Sequence, residues 1–187
     1  MKLQSGNTPP NFVLPAISGE SFDLASLQGK PYLLSFLRFA SCPFCNLRVH
    51  ELVTRYPELG GGFTIVAVFD SPIDNLIRHA GRHQAPFPIL ADEGNRVHHR
   101  YGVEHSLAGV MKGMLLRLPT LLRGMFGKGY IPLVFKGSMT TMPADFLVDS
   151  TGRVHTAYYG RDEGDHLSFE QIKTFALSSR PGMSIAP

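Results

Sequence analysis

The sequence has no tryptophan, only two cysteines in 187 residues, and no run of eighteen consecutive apolar residues. The missing apolar run excludes a conventional membrane-spanning helix. A structural zinc site usually takes four ligands, and the chain has no second cysteine pair to complete one. The amino terminus also lacks the apolar segment of a secretory signal. We therefore expect no bound metal, and a cytoplasmic protein in which disulfides are transient and catalytic.

What the sequence does contain is an ordinary globular composition, with 43% hydrophobic and 18% charged residues. This length and composition predict a single domain over residues 1–187. The formal net charge is +3, but residues 106–142 hold five bases and no acid: Lys112, Arg117, Arg123, Lys128 and Lys136. Because the basic excess is confined to one segment, it does not indicate a nucleic-acid partner.

The two cysteines, Cys42 and Cys45, follow an apolar run at 32–37 and precede a helical pattern. The first turn of a helix presents unpaired N–H groups and positive dipole charge, which stabilise a thiolate and lower its pKa. A second cysteine one turn further along can then attack a mixed disulfide. Pro43 fits the first helical turn, where it needs no N–H partner. A strand that ends in this motif and opens a helix therefore indicates thiol redox chemistry.

We assign the attacking thiolate to Cys42 and the resolving thiol to Cys45, and we expect Cys42 to be partly exposed and Cys45 to be more buried. The redox-active group is then the Cys42–Cys45 disulfide, with no other cofactor. Arg38 lies at the strand end, where its charge could lower the pKa of Cys42; a surface salt bridge is an equally good interpretation. Two alternatives for the cysteines are buried structural thiols and a metal site that includes His50.

Strand and helix patterns alternate along the following segments, which predicts parallel strands with crossover helices. An apolar run at 63–69 predicts a second buried strand, and residues 87–92 predict a short one. Segments 144–148 and 153–159 predict a final hairpin. The acidic stretch at 162–165 predicts a solvated loop, and His79 and His83 are interpreted as surface histidines.

Several of these features occur together in one known family. The series Pro10-x-Phe12-x-Leu14, Gly29-Lys30-Pro31 and Cys42-Pro43 is similar to the alkyl hydroperoxide reductase/thiol-specific antioxidant (AhpC/TSA) redoxins. The family's peroxiredoxin-like branch resembles this chain in the motif Phe36-x-Arg38-x-x-Ser41-Cys42-Pro43-Phe44-Cys45-Asn46. The resemblance implies an α/β protein with a thioredoxin-like fold, in which a central mixed β-sheet is flanked by helices and preceded by an N-terminal β-hairpin extension. Residues 106–142 then form a helical insertion before the final hairpin.

The resemblance also implies a site and an activity. A cis-proline faces the cysteines in this fold, and Pro143 matches its place, so the backbone of Met142 would pair with an extended substrate. The implied activity is thiol–disulfide exchange on disulfide substrates, with reduction of peroxides beside it, and the implied reductant is a thiol donor such as thioredoxin, glutaredoxin or glutathione. Typical peroxiredoxins carry Pro seven residues, and Thr or Ser three residues, before the reactive cysteine. Counted from Cys42, those places hold Ser35 and Phe39.

The insertion at 106–142 is the part of the chain that these patterns do not explain. It is too apolar for a solvated loop, and Pro119 predicts a split into two short helices. Its apolar face either covers the sheet edge, forms a homodimer contact or a substrate wall, or combines with its bases in a weak contact with an anionic membrane surface. The alternative function is therefore a non-catalytic interaction module that keeps the thioredoxin-like fold and binds a partner or a membrane through this insertion.

Overall fold

The strands of the chain form two sheets in the computed structural model, which describes residues 2–122 and 137–179. A two-stranded antiparallel hairpin contains β1 and β2, and a five-stranded sheet has the order β5-β4-β3-β6-β7. The strands span β1 Val13–Pro15, β2 Ser21–Asp23, β3 Tyr32–Leu37, β4 Thr64–Phe69, β5 Ile89–Ala91, β6 Ala144–Val148 and β7 Val154–Tyr159. The predicted mixed sheet and N-terminal hairpin are confirmed.

Helices connect these strands and cover the larger sheet. They span α1 Pro43–Arg55, α2 Ile73–Ala80, α3 Arg96–Arg100, α4 Leu107–Leu116, α5 Leu118–Leu122 and α6 Phe169–Ser178. Within the described ranges, no helix is both long enough and apolar enough to cross a membrane.

The central strands β3 and β4 owe their positions to continuous apolar sequence. All six residues of β3 are buried, as expected for a strand covered on both faces. β3 pairs with β4 in parallel, from Tyr32 opposite Thr64 to Leu37 opposite Phe69. One apolar cluster packs α1, α2 and α6 on one face, and a second packs α3 and the N-terminal hairpin on the other.

Strand direction decides which loops lie together. β4 and β5 run parallel to β3, whereas β6 is antiparallel to β3 and β7 is antiparallel to β6. β7 therefore runs in the same direction as β3. Four strands, β3, β4, β5 and β7, thus have their carboxyl ends along one edge of the sheet. The Cys42 loop follows β3 at this edge, and residues 160–166 follow β7 there.

The structure describes residues 106–122 and 137–142 of the insertion, and its helices there are α4 and α5. The predicted split is confirmed: α4 ends before Arg117, and Pro119 is the second residue of α5, where a missing N–H is tolerated. The pair is not fully packed on the rest of the chain, since six of its apolar side chains are exposed: Leu107, Met111, Met114, Leu116, Leu118 and Leu122. The bases Arg123, Lys128 and Lys136 lie outside the described residues.

One base of the insertion pairs with an acid from another part of the chain. The insertion contains no acid of its own, and Arg117 Nε lies 2.6 Å from Asp162 Oδ1. Asp162 lies in the loop after β7, and the direction of β7 places this loop at the same edge of the sheet as the Cys42 loop.

Candidate active site

The two cysteines open the helix that follows β3. Cys42 has extended backbone angles and is the N-cap of α1, and Pro43 is the first helical residue. The Cys42 N–H donates to the Phe39 carbonyl at 3.0 Å, and the Cys42 carbonyl accepts from the Asn46 N–H at 3.0 Å. Cys42 therefore lies at the N-terminus of α1, as the sequence predicts, and the backbone N–H groups of Phe44 and Cys45 favour its thiolate.

Both thiols are completely enclosed. Cys42 is 0% exposed and Cys45 is 1% exposed, and both belong to the apolar cluster that contains Phe39 and Phe44. The prediction that Cys42 is partly exposed is therefore wrong, because apolar residues on both sides of the motif close over it. The cysteines are free thiols whose side chains lie 3 Å apart, which suits the interconversion of a dithiol and a disulfide.

The surroundings give the two thiols different acidities. Burial would raise the pKa of Cys42, but a hydrogen bond from Cys45, the Arg38 charge and the backbone N–H groups of Cys45 and Phe44 outweigh it and lower that pKa to about 7. Burial raises the pKa of Cys45 well above its ordinary value, and the neighbouring Cys42 raises it further. This difference supports Cys42 as the attacking thiolate and Cys45 as the resolving thiol.

Arg38 is a buried part of the site and not a surface salt-bridge residue. It is 4% exposed, and its Nη1 lies 3.8 Å from Cys42 Sγ. Its Nη2 donates to the Met139 carbonyl, which fixes the guanidinium to the segment before β6. The interpretation that Arg38 lowers the pKa of Cys42 is the one that the structure supports.

Glu163 is the site residue that sequence reasoning missed. The acidic stretch at 162–165 was expected to be solvated, but Asp162 and Glu163 are buried, and Glu163 Oε1 lies 3.7 Å from Arg38 Nη1. The direction of β7 was the available signal, because a strand parallel to β3 delivers its following loop to the cysteine edge.

Asn46 is a second residue that holds the site. Its Nδ2 donates to the carbonyls of Ala40 and Cys42 at 2.8 and 2.9 Å, so the amide fixes the loop between β3 and α1. Its Oδ1 lies 2.9 Å from Nε2 of His83, which is half-buried and not a freely solvated residue. Burial, with the charges of Arg82 and His50, lowers the pKa of His83 to about 4. The neutral ring therefore donates to Asn46 at neutral pH.

The predicted roles of Met142 and Pro143 need correction. The described residues contain no cis peptide bond, so the bond before Pro143 is trans. The Met142 N–H donates to the Glu104 carbonyl at 2.8 Å and is not open to a substrate strand. An antiparallel β-bridge between His105 and Thr141 pairs the residues before α4 with the residues before Pro143. The final hairpin itself lies where the sequence predicts.

No group of three or more His, Cys, Asp or Glu side chains in residues 2–122 and 137–179 could hold a metal ion.

A mixed sheet whose strand β3 leads into a helix opened by Cys-x-x-Cys defines the class of thioredoxin-fold redox proteins. Within this class, residues 5–157 match the AhpC/TSA family, and the chain belongs to that family. The predicted family and thioredoxin-like fold are confirmed.

Individual relatives agree with this assignment. The chain is 28% identical over 113 residues to peroxiredoxin Q of Triticum aestivum, covering 60% of this chain and 52% of that protein. It is 33% identical over 102 residues to the thiol-disulfide oxidoreductase ResA of Halalkalibacterium halodurans, covering 54% and 57%. The chain thus spans little more than half the length of these relatives. The peroxidoxin BcpB structure from Mycobacterium tuberculosis shares the fold, with a TM-score of 0.69, 17% identity, and coverage of 95% of this chain and 99% of that one.

Proposed function

We propose that this protein is a thiol–disulfide oxidoreductase that works through the Cys42–Cys45 dithiol and also reduces peroxides with a thiol donor. The observation that carries the proposal is the pair of adjacent thiols of unequal acidity, with Arg38 beside the more acidic one. The family assignment and the names of the two relatives, one a peroxiredoxin and one a thiol-disulfide oxidoreductase, support it.

Exchange with a disulfide substrate proceeds in two steps. The Cys42 thiolate attacks one substrate sulfur, the substrate S–S bond breaks as a new S–S bond forms, and the leaving thiolate takes up a proton. Cys45 then loses its proton and attacks Cys42, which releases the second substrate thiol and leaves the Cys42–Cys45 disulfide. Two thiol groups of a donor return the enzyme to the dithiol and are themselves oxidised to a disulfide.

Reduction of a peroxide uses the same sulfur atoms. The Cys42 thiolate attacks the O–O bond and becomes a sulfenic acid, and the departing alkoxide or hydroxide is protonated. Cys45 displaces water from the sulfenic acid, which again gives the Cys42–Cys45 disulfide. The proposed donor is thioredoxin, glutaredoxin or glutathione, in a compartment that keeps thiols reduced.

Exchange with disulfides is proposed as the principal activity. Typical peroxiredoxins have Pro at the place of Ser35 and a hydroxyl residue at the place of Phe39. Here Ser35 donates to Asp145 at 2.6 Å inside the sheet, and Phe39 belongs to the apolar cluster around the cysteines. Neither side chain therefore offers a hydroxyl group to a peroxide.

The test is stopped-flow mixing of the reduced protein with hydrogen peroxide, an organic peroxide and a disulfide substrate, followed by mass spectrometry of both cysteines. Cys42→Ser should abolish all turnover, whereas Cys45→Ser, the matched control with the same substitution, should react once and accumulate a mixed disulfide. Faster alkylation of Cys45 than of Cys42 in the reduced wild type would reverse the assigned roles. Retention of activity in Cys42→Ser would exclude the proposed chemistry.

A second candidate function rests on the exposed apolar face of α4 and α5. This face, beside Lys112, supports the alternative of an interaction module that contacts a second copy of the chain or an anionic membrane surface. Sedimentation with liposomes, with and without anionic lipid, tests the membrane contact, and sedimentation velocity tests the homodimer. Met111→Gln should weaken either association. The control is Ile77→Gln, which alters an exposed apolar residue of α2.

A further inference from the structure

Glu163 is a buried acid that the chemistry of the two thiols does not by itself require. It is 2% exposed, and its Oε1 lies 3.7 Å from Arg38 Nη1. The same nitrogen lies 3.8 Å from Cys42 Sγ on the other side. One guanidinium nitrogen therefore faces a carboxylate and a thiol at nearly equal distances.

The pairing of Glu163 is incomplete. Among the described residues, neither Glu163 Oε2 nor Arg38 Nε has a hydrogen-bond partner. A buried carboxylate with an unbonded oxygen is costly in free energy. The backbone of α4 closes over the same oxygen, since a Cβ added at Gly113 would lie 1.5 Å from it. The carboxyl group is thus enclosed on one side by a helix, and it is bonded on the other to Arg38 and to the backbone N–H of Glu163 itself.

The charged groups around Glu163 come from three elements. Arg38 lies at the end of β3, Arg117 follows α4, and Asp162 precedes Glu163 in its own loop. Burial raises the pKa of Glu163, whereas the Arg38 charge and a hydrogen bond from the backbone N–H of Glu163 itself lower it. The Asp162 charge raises this pKa further, and the Arg117 charge lowers it. Arg117 forms an ion pair with Asp162, with 2.6 Å between Arg117 Nε and Asp162 Oδ1. Arg38 is therefore the cation that Glu163 shares with Cys42.

We propose that Glu163 is a positioning residue that competes with the Cys42 thiolate for the Arg38 guanidinium. One buried cation can balance one anion, and a low-dielectric site disfavours the second negative charge. Ionised Glu163 therefore disfavours the Cys42 thiolate, and ionised Cys42 favours a protonated Glu163.

The consequence for turnover rests on the proposed function. When Cys42 attacks a disulfide, its charge passes to the leaving sulfur, and Arg38 becomes free to pair with Glu163. Glu163 then releases to solvent the proton that it held while the thiolate was present. Arg38 stays balanced through the cycle, because one anion replaces the other.

The decisive measurement is the ionisation of Cys42 in the full reduced chain, followed by the ultraviolet absorbance of the thiolate against pH. The first midpoint reports Cys42, because the pKa of Cys45 is raised well above its ordinary value. Glu163→Gln should move this midpoint down by about 0.5–1 pH unit, since it removes a negative charge that competes for Arg38. The matched control is Asp162→Asn, which removes the same charge from an acid paired with Arg117 and should shift the midpoint less than half as far.

The direction of the shift separates the proposal from a purely structural role. If Glu163 only held Arg38 in place, its removal would displace the cation and move the midpoint up. An upward shift, no shift, or an equal shift in Asp162→Asn overturns the proposal. Glu163→Asp, which withdraws the carboxylate by one methylene, should give a smaller downward shift, and it decides the question if Glu163→Gln does not fold. The titration needs no turnover, so it stands apart from failure of the proposed function.

Discussion

Two buried clusters in this protein each combine an arginine with an acid, and they differ in how the acid is bonded. The cysteine cluster comprises Arg38, Glu163 and Cys42, and the sheet cluster comprises Arg48, Asp145, His166 and Ser35. Each arginine leaves its Nε without a hydrogen-bond partner in the described part of the chain. The contrast therefore lies in the acids.

Asp145 is fully bonded. Ser35 Oγ donates to Oδ1 at 2.6 Å, the Leu167 N–H donates to Oδ2 at 2.8 Å, and His166 Nδ1 lies 3.1 Å from Oδ2. Arg48 Nη2 lies 3.7 Å from the same oxygen. Burial would raise the pKa of Asp145, but His166, Arg48 and Ser35 lower it to about 2.

The difference separates a stabilising acid from a regulating one. Asp145 joins β3, α1 and the segment before α6, and every partner favours its charged form. Glu163 has one unbonded oxygen, and its pKa is raised by burial. A carboxylate with a full set of donors contributes to stability, whereas one that shares its cation with a thiol is suited to respond to the state of that thiol.

The largest expected effect comes from removing the charge of the bonded acid. Asp145→Asn removes the buried carboxylate beside His166 and turns an amide toward the Leu167 N–H, while Arg48 keeps its pair with Glu51 at 2.9 Å. The variant should therefore cost about 3 kcal/mol of unfolding free energy. Urea denaturation measures the loss. Asp74→Asn, the same change on an exposed acid in the first turn of α2, should cost less than about 1 kcal/mol. Equal stability of the two variants would contradict a structural role for the sheet cluster.

The next effect tests how tightly α4 covers the cysteine cluster. Gly113→Ala places a methyl group 1.5 Å from the present position of Glu163 Oε2 and should cost about 1–3 kcal/mol through overpacking. Thermal unfolding checks this. In Gly81→Ala the added carbon meets no atom within 4 Å and the backbone φ is −57°, so this control should be neutral or stabilise by about 0.4–1 kcal/mol. Unchanged stability in Gly113→Ala would mean that Glu163 moves freely.

The two arginines should differ in their effect on the thiol. Arg38→Met removes the cation beside Cys42, so the pKa of Cys42 should rise above its value of about 7 and the thiolate fraction at pH 7 should fall about tenfold. The titration of thiolate absorbance measures this. Arg48→Met removes the guanidinium of the sheet cluster and should leave the Cys42 midpoint unchanged, whatever it does to stability. A common shift in both variants would remove the distinction between the clusters.

The last comparison is the pH dependence of stability, which should have opposite signs for the two acids. Asp145 has a folded pKa of about 2, below the unfolded value of about 3.9. Its contribution is therefore present above about pH 4 and lost as pH falls toward 2. The pKa of Glu163 is raised in the folded state, so its contribution is present below the unfolded value and lost as pH rises through the folded one. The urea midpoint should depend less on pH below about pH 4 in Asp145→Asn, and less on pH above the ordinary glutamate pKa of about 4.3 in Glu163→Gln. An unchanged pH dependence in either variant would contradict the corresponding assignment.

The sequence by itself determined the elements whose causes are local. A dithiol at a helix N-terminus is predicted by the apolar run of β3, the Cys42-Pro43-Phe44-Cys45 motif and the helix pattern that follows. The family resemblance supports the same prediction. The final hairpin and the split at Pro119 follow in the same way from turn residues and the fixed φ of proline.

Only the tertiary structure decided the features that depend on residues far apart in the chain. Arg38 and Glu163 are 125 positions apart, and they meet because β7 runs parallel to β3. The pairing of the Met142 N–H with Glu104 and the enclosure of Cys42 likewise arise from segments that converge at one sheet edge. Local patterns report propensity and periodicity, but which loops share an edge depends on strand order and direction. For that reason the pair of thiols at the N-terminus of α1 could be located from the sequence, and their burial and their acidic neighbour could not.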